Sequence, residues 1–417
     1  MAQELEPLLN DTEGWSPPPS SAKQSQRLAS LDVFRGFSVF LMILVDYGGS
    51  IFPLIAHSPW NGLHLADFVM PFFLFIAGVS LALVYKNVPN TAEASSKALL
   101  KALKLFLVGV VLQGGYFHGV NNLTYGVDMK TIRWLGILQR IAIGYIVAAL
   151  CEIWVTRKNR RGIDFLGRYI WHWCLAFFLS SIYLALSYIL FVPDWQFELY
   201  NSTLASSSQV YTVKCSRRGD LGPGCNSAGM IDRFLIGINH LYRKPVYMNL
   251  KVCSMNGTGQ DSDDFPAWCL APSDPEGILS SLTAAVTCII GLQYGHVLVH
   301  LQDHKERIVK WSILSALFLI VGLLLALLGL PVNKSLYTIS YMLITTASAG
   351  LTFIAFYLLV DVYAYKRLTV LLEWLGVHSL TIFVVVTSNL AIIAVQGLYW
   401  ASPDNNLVHW VVSRFSS

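Results

Sequence analysis

Charge is scarce in this chain. Only 13% of its 417 residues are Asp, Glu, Lys or Arg, against about 25% in an ordinary soluble domain. That scarcity argues against a solvated globular surface. Several site signatures are also missing from the sequence. It has no phosphate-cradling Gly-rich loop, no Gly-x-Ser-x-Gly nucleophile turn and no closely spaced metal-ligand set, so no metal is expected. No basic patch points to nucleic acid. Residues 1–30 lack the apolar core of a cleaved signal peptide. They are polar and rich in Ser, Pro and Gln, and they read as a disordered cytosolic tail.

What the chain has in abundance is apolar residues, 54% of the total, clustered in long runs. A helix needs about 20 residues to cross a hydrocarbon core. Backbone groups there must bond internally, which selects helices, and the short alternating segments of a barrel are absent. The fold class expected is an all-α polytopic transmembrane bundle. The runs place about nine spans, at roughly 33–55, 67–85, 103–118, 133–154, 169–192, 277–299, 311–330, 337–360 and 371–397. Residues 31–192 then carry helices one to five, 193–276 form a long lumenal connection, 277–400 carry helices six to nine, and 401–417 form a lumenal tail.

Orientation follows from charge. Lys86, Lys97, Lys101 and Lys104 flank one connection; Arg157, Lys158, Arg160, Arg161 and Arg168 fill another; Lys305, Arg307 and Lys310 a third; Lys366 and Arg367 a fourth. All fall on the side of the N-terminus, which is therefore expected in the cytosol. Glycosylation sequons at Asn122, Asn201, Asn256 and Asn333 fall on the opposite side, as a lumenal glycoprotein requires. A further match at Asn10 is discounted, since it lies in the cytosolic tail. Four of the seven cysteines, Cys215, Cys225, Cys253 and Cys269, lie in the 193–276 connection, where one or two disulfides are expected in any of three pairings. In the tail, Glu4 with Leu8-Leu9 fits an acidic-dileucine address for lysosome or vacuole.

Ionisable residues inside a bilayer are costly and point to function. Asp46 lies eleven residues beyond Arg35, roughly 16 Å along a helix and near the bilayer centre. His57 follows at the lumenal end, with Asn61 beside it and Asp67 opening the next span. A carboxylate beside an imidazole fixes its tautomer. Gly48-Gly49 and Pro53 bend the chain between Asp46 and His57, so that the two can reach one cavity. Gln139 and Arg140 are buried polar residues of the fourth span, and Arg140 is a candidate counter-ion for Asp46 or for an anionic ligand.

These residues sit in recognisable strings. Arg27-Leu-Ala-Ser-Leu-Asp-Val-Phe-Arg35-Gly36, Asp46-Tyr47-Gly48-Gly49, His57-Ser-Pro-Trp60-Asn61-Gly62 and Ala66-Asp67-Phe-Val-Met-Pro71 come in order, followed by Leu138-Gln139-Arg140, Gly229-Met-Ile-Asp232-Arg233, Asp274-Pro275-Glu276-Gly277 and Pro331-Val-Asn333-Lys334. The set resembles the heparan-α-glucosaminide N-acetyltransferase family across most of residues 27–345. The resemblance implies an acyltransferase of a lysosomal or other endomembrane, moving acetyl from cytosolic acetyl-CoA to a glucosamine-type lumenal acceptor, and a homodimer. It matches His57 to the catalytic histidine and places Asp46 where the animal enzyme has an Asn. Asp46 in its protonated form, or Asn61, would donate to the oxyanion. His57 would act as general base or carry the acetyl group transiently. Arg35, with Gln139 and Arg140, would meet the donor. The animal enzyme's lumenal N-terminal domain has no counterpart here, and residues 376–400 match loosely. Two other readings are a small-molecule transporter, since broken helices with buried Asp and Arg suit that class, and an inactive truncated homologue.

Overall fold

Each of the nine stretches expected to cross the membrane contains a helix, though the third ends in a short strand, Gly115–His118. The structure, a computed structural model, describes residues 28–49, 52–86, 88–118, 124–127, 132–158, 165–200, 208–254, 266–388, 410 and 413–414. The tail address at Glu4, Leu8 and Leu9 and the sequons at Asn122, Asn201 and Asn256 lie outside the described residues, as does the end of the last span. Twelve α-helices are assigned among the described residues: α1 Ala29–Gly48, α2 Ala66–Val84, α3 Thr91–Gly114, α4 Ile137–Lys158, α5 Phe165–Ile189, α6 Ser227–Leu235, α7 Lys251–Ser254, α8 Ile278–His300, α9 His304–Leu327, α10 Ile339–Tyr357, α11 Lys366–Val377 and α12 Ser379–Thr387.

Six of these, α2, α4, α5, α8, α9 and α10, are long and apolar enough to cross a membrane, and the α11–α12 pair, bent by 77°, makes a seventh if it counts as one span. Helices α1 and α3 are comparable in length, but α1 carries Asp32, Arg35 and Asp46, and α3 carries Glu93 and three lysines. The chain is a multi-pass helical membrane protein.

Helix α8 is the axis of the bundle. It is apolar all round and buried over almost its whole length, as a central helix must be. Lipid gives no hydrophobic drive between helices, so close packing holds them. Gly291 and Gly295 of α8 lie four apart, and with Gly78 of α2 they let the two backbones touch. A Cβ at Gly78 would strike the Cys288 carbonyl, and one at Gly291 the Phe75 carbonyl. Helices α1 and α11 meet the same way at Gly36 and Gly376.

The 193–276 connection contains strands that an all-helical reading does not foresee. Trp195–Tyr200 pairs antiparallel with Ser208–Val213, and Phe191–Val192 pairs with Arg217–Arg218. A small separate core of Val192, Phe197, Val213 and Ala271 lies beneath them. The cysteines pair Cys215–Cys225 and Cys253–Cys269, each closing a short loop worth on the order of 3 kcal/mol.

Asp232 of α6 fastens this region to the bundle by accepting the Ile278 N–H at the start of α8, 2.8 Å away. Burial raises its carboxyl to about 7, with Asp274 adding to the effect. The folded protein therefore holds a proton that the unfolded chain releases near pH 4, and stability falls as pH rises from about 4 to 7. Asp232→Asn is expected to flatten that dependence in thermal unfolding scans across this pH window.

Candidate active site

Four connections gather at one end of the bundle, and the site is built from them. Helix α1 stops at Gly48, and the chain turns so that His57 faces back toward the helix ends. Asp67, in the first turn of α2, holds it there. The two are 2.9 Å apart, His57 Nδ1 to Asp67 Oδ1. Asp67 Oδ2 accepts the backbone N–H groups of Ser58 at 3.2 Å and His64 at 2.9 Å. The Asp67 side chain is wholly enclosed, whereas that of His57 is 32% exposed. With its proton on Nδ1, shared with Asp67, His57 carries its lone pair on Nε2.

A lysine enters from the α9–α10 connection. Lys334 Nζ lies 2.9 Å from His57 Nδ1, 3.1 Å from Nε2 and 3.9 Å from Asp67 Oδ1. Its loop is locked by local bonds. Asn333 Oδ1 accepts the Leu336 N–H at 2.9 Å, Thr338 Oγ1 accepts the Asn333 N–H at 3.1 Å, and Tyr337 takes a left-handed φ of 50°. That strain is held in place by its neighbours, since the Tyr337 carbonyl accepts from Thr283 Oγ1. The third charged element comes from the start of α8. Arg133 grips Asp274 with two bonds, of 2.8 and 2.5 Å, and Glu276 with one of 2.5 Å.

Asp46, His57, Glu276 and Lys334 line one cavity of about 70 Å³. A second cavity, of about 330 Å³, is lined by Arg35, Ser80 and Lys101. Phe73, Ile137 and Phe383 belong to the walls of both. A cavity bearing Arg35 and Lys101 near the start of α1 thus adjoins the pocket that holds the imidazole, with Phe73, Ile137 and Phe383 shared between them.

The electrostatics suit a neutral base. Burial lowers the His57 pKa below the ordinary histidine value, and Lys334 lowers it further, against the pull of Asp67 and Glu276. Burial also pushes the Lys334 ammonium below the usual lysine range, with Asp67, Glu276 and Asp46 pulling it back. Glu276 is held low despite its burial by Arg133, Arg140 and Lys334. A base-ready imidazole and an adjacent cation are the parts needed to take a proton and to stabilise an oxyanion.

The structure sorts the residues singled out from the sequence. His57 and Asp46 share the small cavity, Asp67 orients His57, and Arg35 lies on the large cavity, 2.9 Å from Asp32 and 3.3 Å from Ser80. Three others lie off these walls. Arg140 bonds the Pro275 carbonyl at 2.6 Å and Ser280 Oγ and stacks over Tyr337, tying α4 to the start of α8 rather than pairing with Asp46. Gln139 is buried against Gly109 of α3. Asn61 joins two connections, its Oδ1 accepting from Asn333 Nδ2 at 3.2 Å. The same bond removes Asn333 as a glycan site, because its amide is enclosed and engaged in the fold. Lys334 and Glu276 lie in strings that carry the family resemblance, but their place at the site emerges only from the fold. The sequence signal for them is charge next to an apolar run on the side opposite the basic connections.

Comparison with known proteins bears out the family resemblance. Residues 27–208 match the family model described as heparan-alpha-glucosaminide N-acetyltransferase, catalytic. The heparan-alpha-glucosaminide N-acetyltransferase of Mus musculus is 30% identical over 370 residues, 83% of this chain and 51% of the mouse protein. That of Homo sapiens is 27% identical over 364 residues, 81% of this chain and 49% of the human protein. The chain is homologous to these enzymes and spans about half the length of the curated relatives it matches.

Proposed function

We propose that this homologue of heparan-alpha-glucosaminide N-acetyltransferase is a membrane acetyltransferase that takes acetyl from acetyl-CoA on the cytosolic side and transfers it to an amino-sugar on the lumenal side of a lysosome, vacuole or related membrane. The observation that carries the reading is the pair of adjoining cavities, cationic at one end and bearing the Asp67–His57–Lys334 cluster at the other.

The chemistry follows from the donors present. Arg35 and Lys101 meet the phosphates of CoA, while the pantetheine arm lies along Phe73, Ile137 and Phe383. Asp46 and Glu276 favour an acceptor carrying an amine. The amine gives a proton to His57 Nε2 and attacks the thioester carbonyl carbon. The oxyanion that forms faces Lys334. The C–S bond then breaks, and the CoA thiolate takes the proton from the imidazolium, so that an amide and free CoA thiol are released.

Arg35→Ala is expected to weaken acetyl-CoA binding about tenfold, the loss of one charge-assisted phosphate contact of roughly 1.4 kcal/mol. Titration of purified protein with acetyl-CoA checks this. Unchanged affinity would move the donor elsewhere.

A further inference from the structure

Away from the His57 pocket, three helices bring together a cluster that the acetyl transfer does not use. Glu152 of α4, His172 of α5 and His296 of α8 are enclosed in the bundle, at 3%, 0% and 2% exposure. Glu152 Oε2 lies 3.0 Å from His172 Nε2 and 2.9 Å from His296 Nε2. One donor atom from each residue falls within 4.8 Å of the others. No spacing in the sequence announces the group, since the residues come from separate spans.

We propose that Glu152, His172 and His296 form a binding site for a divalent transition metal of the imidazole-and-carboxylate class, such as Zn²⁺. Two imidazoles and one carboxylate are a recurrent three-residue set for zinc and for non-haem iron, with a further position left open. The charge balance favours a cation. Among the described residues no lysine or arginine forms an ion pair with Glu152, whose partners are the two imidazoles. A carboxylate buried this deeply needs a compensating charge, and neutral imidazoles offer only dipoles.

The protons can be accommodated. Without metal, both Nε2–H groups donate to Glu152 Oε2. With metal, each ring keeps its one proton on Nδ1 and turns the Nε2 lone pair to the ion. Neither Nδ1 has a hydrogen-bond partner among the described residues, so no donor opposes that tautomer. The rings are already oriented. Tyr169 stacks on His296 with centroids 3.9 Å apart, and the His296 backbone carbonyl is held by His300 Nδ1 at 2.9 Å. Bound metal would clip α5, whose outer face presents Phe177 and Phe178, onto α4 and α8. It would thereby steady the helix that leads into the disulfide-bearing connection.

The test uses full-length protein with no histidine tag, stripped with chelator, loaded with Zn²⁺ alone, desalted and measured by elemental mass spectrometry. About one equivalent of zinc is expected. Loading with Co²⁺ should give the visible bands of a low-symmetry imidazole–carboxylate site, a readout on the unmutated protein. His172→Gln and Glu152→Gln are each expected to lower retained zinc at least about tenfold, while His57→Ala retains it. Folded wild type that keeps no zinc and shows no cobalt bands would overturn the proposal and leave a proton as the counter-charge of Glu152. So would zinc retained equally by His172→Gln and Glu152→Gln.

Discussion

Replacing His57 by alanine is expected to cut acetyl transfer about 10²–10⁴-fold, the usual span for losing a general base. Acetyl-CoA affinity should stay within about twofold, because the phosphate partners lie in the other cavity. The fold should survive. The His57 side chain is partly exposed, and Asp67 keeps the Ser58 and His64 N–H groups as well as Lys334 at 3.9 Å. Initial rates and donor binding in one preparation check both halves. Turnover close to wild type would remove His57 from the chemistry.

Lys334→Met carries the second large effect. Lys334 lies within 3.1 Å of both ring nitrogens of His57, and it faces the site of the developing oxyanion. Losing such a preorganised charge costs on the order of 10²–10³ in kcat. The pH profile separates this from simple damage. Lys334 lowers the His57 pKa, so its removal raises that pKa, and the base form is lost at higher pH. The acid limb of kcat/KM therefore moves to higher pH in Lys334→Met and stays in place in Lys334→Arg, which keeps the charge. A limb that does not move in Lys334→Met would show that the cation does not act on His57.

How much of this was legible in the sequence depends on the range of the interaction. The helices came from apolar run length, a local property, and the bend between Asp46 and His57 from Gly48, Gly49 and Pro53. The His57–Asp67 pair spans ten residues and could be read for the same reason. Lys334 could not. It is 277 residues from His57, and only the packing of α2, α8 and α10 brings their connections together. Arg140 was legible as buried and charged, but its partners, Pro275 and Ser280, belong to another helix start. Glu152, His172 and His296 each lie near a span end, where a polar side chain ordinarily meets the interface. Their convergence is a matter of helix rotation. The paired strands in the 193–276 connection were hidden because their alternation is short and they lie in a polar, Cys-bearing stretch.

The central claim is that donor and acceptor react across the membrane at His57. The most direct measurement uses sealed vesicles bearing the protein with the Arg35 side outward, glucosamine trapped inside and acetyl-labelled acetyl-CoA added outside. Labelled N-acetylglucosamine should accumulate inside with wild type and stay at background with His57→Ala. Product that forms only when donor and acceptor share one side, or that forms equally with His57→Ala, would contradict the account.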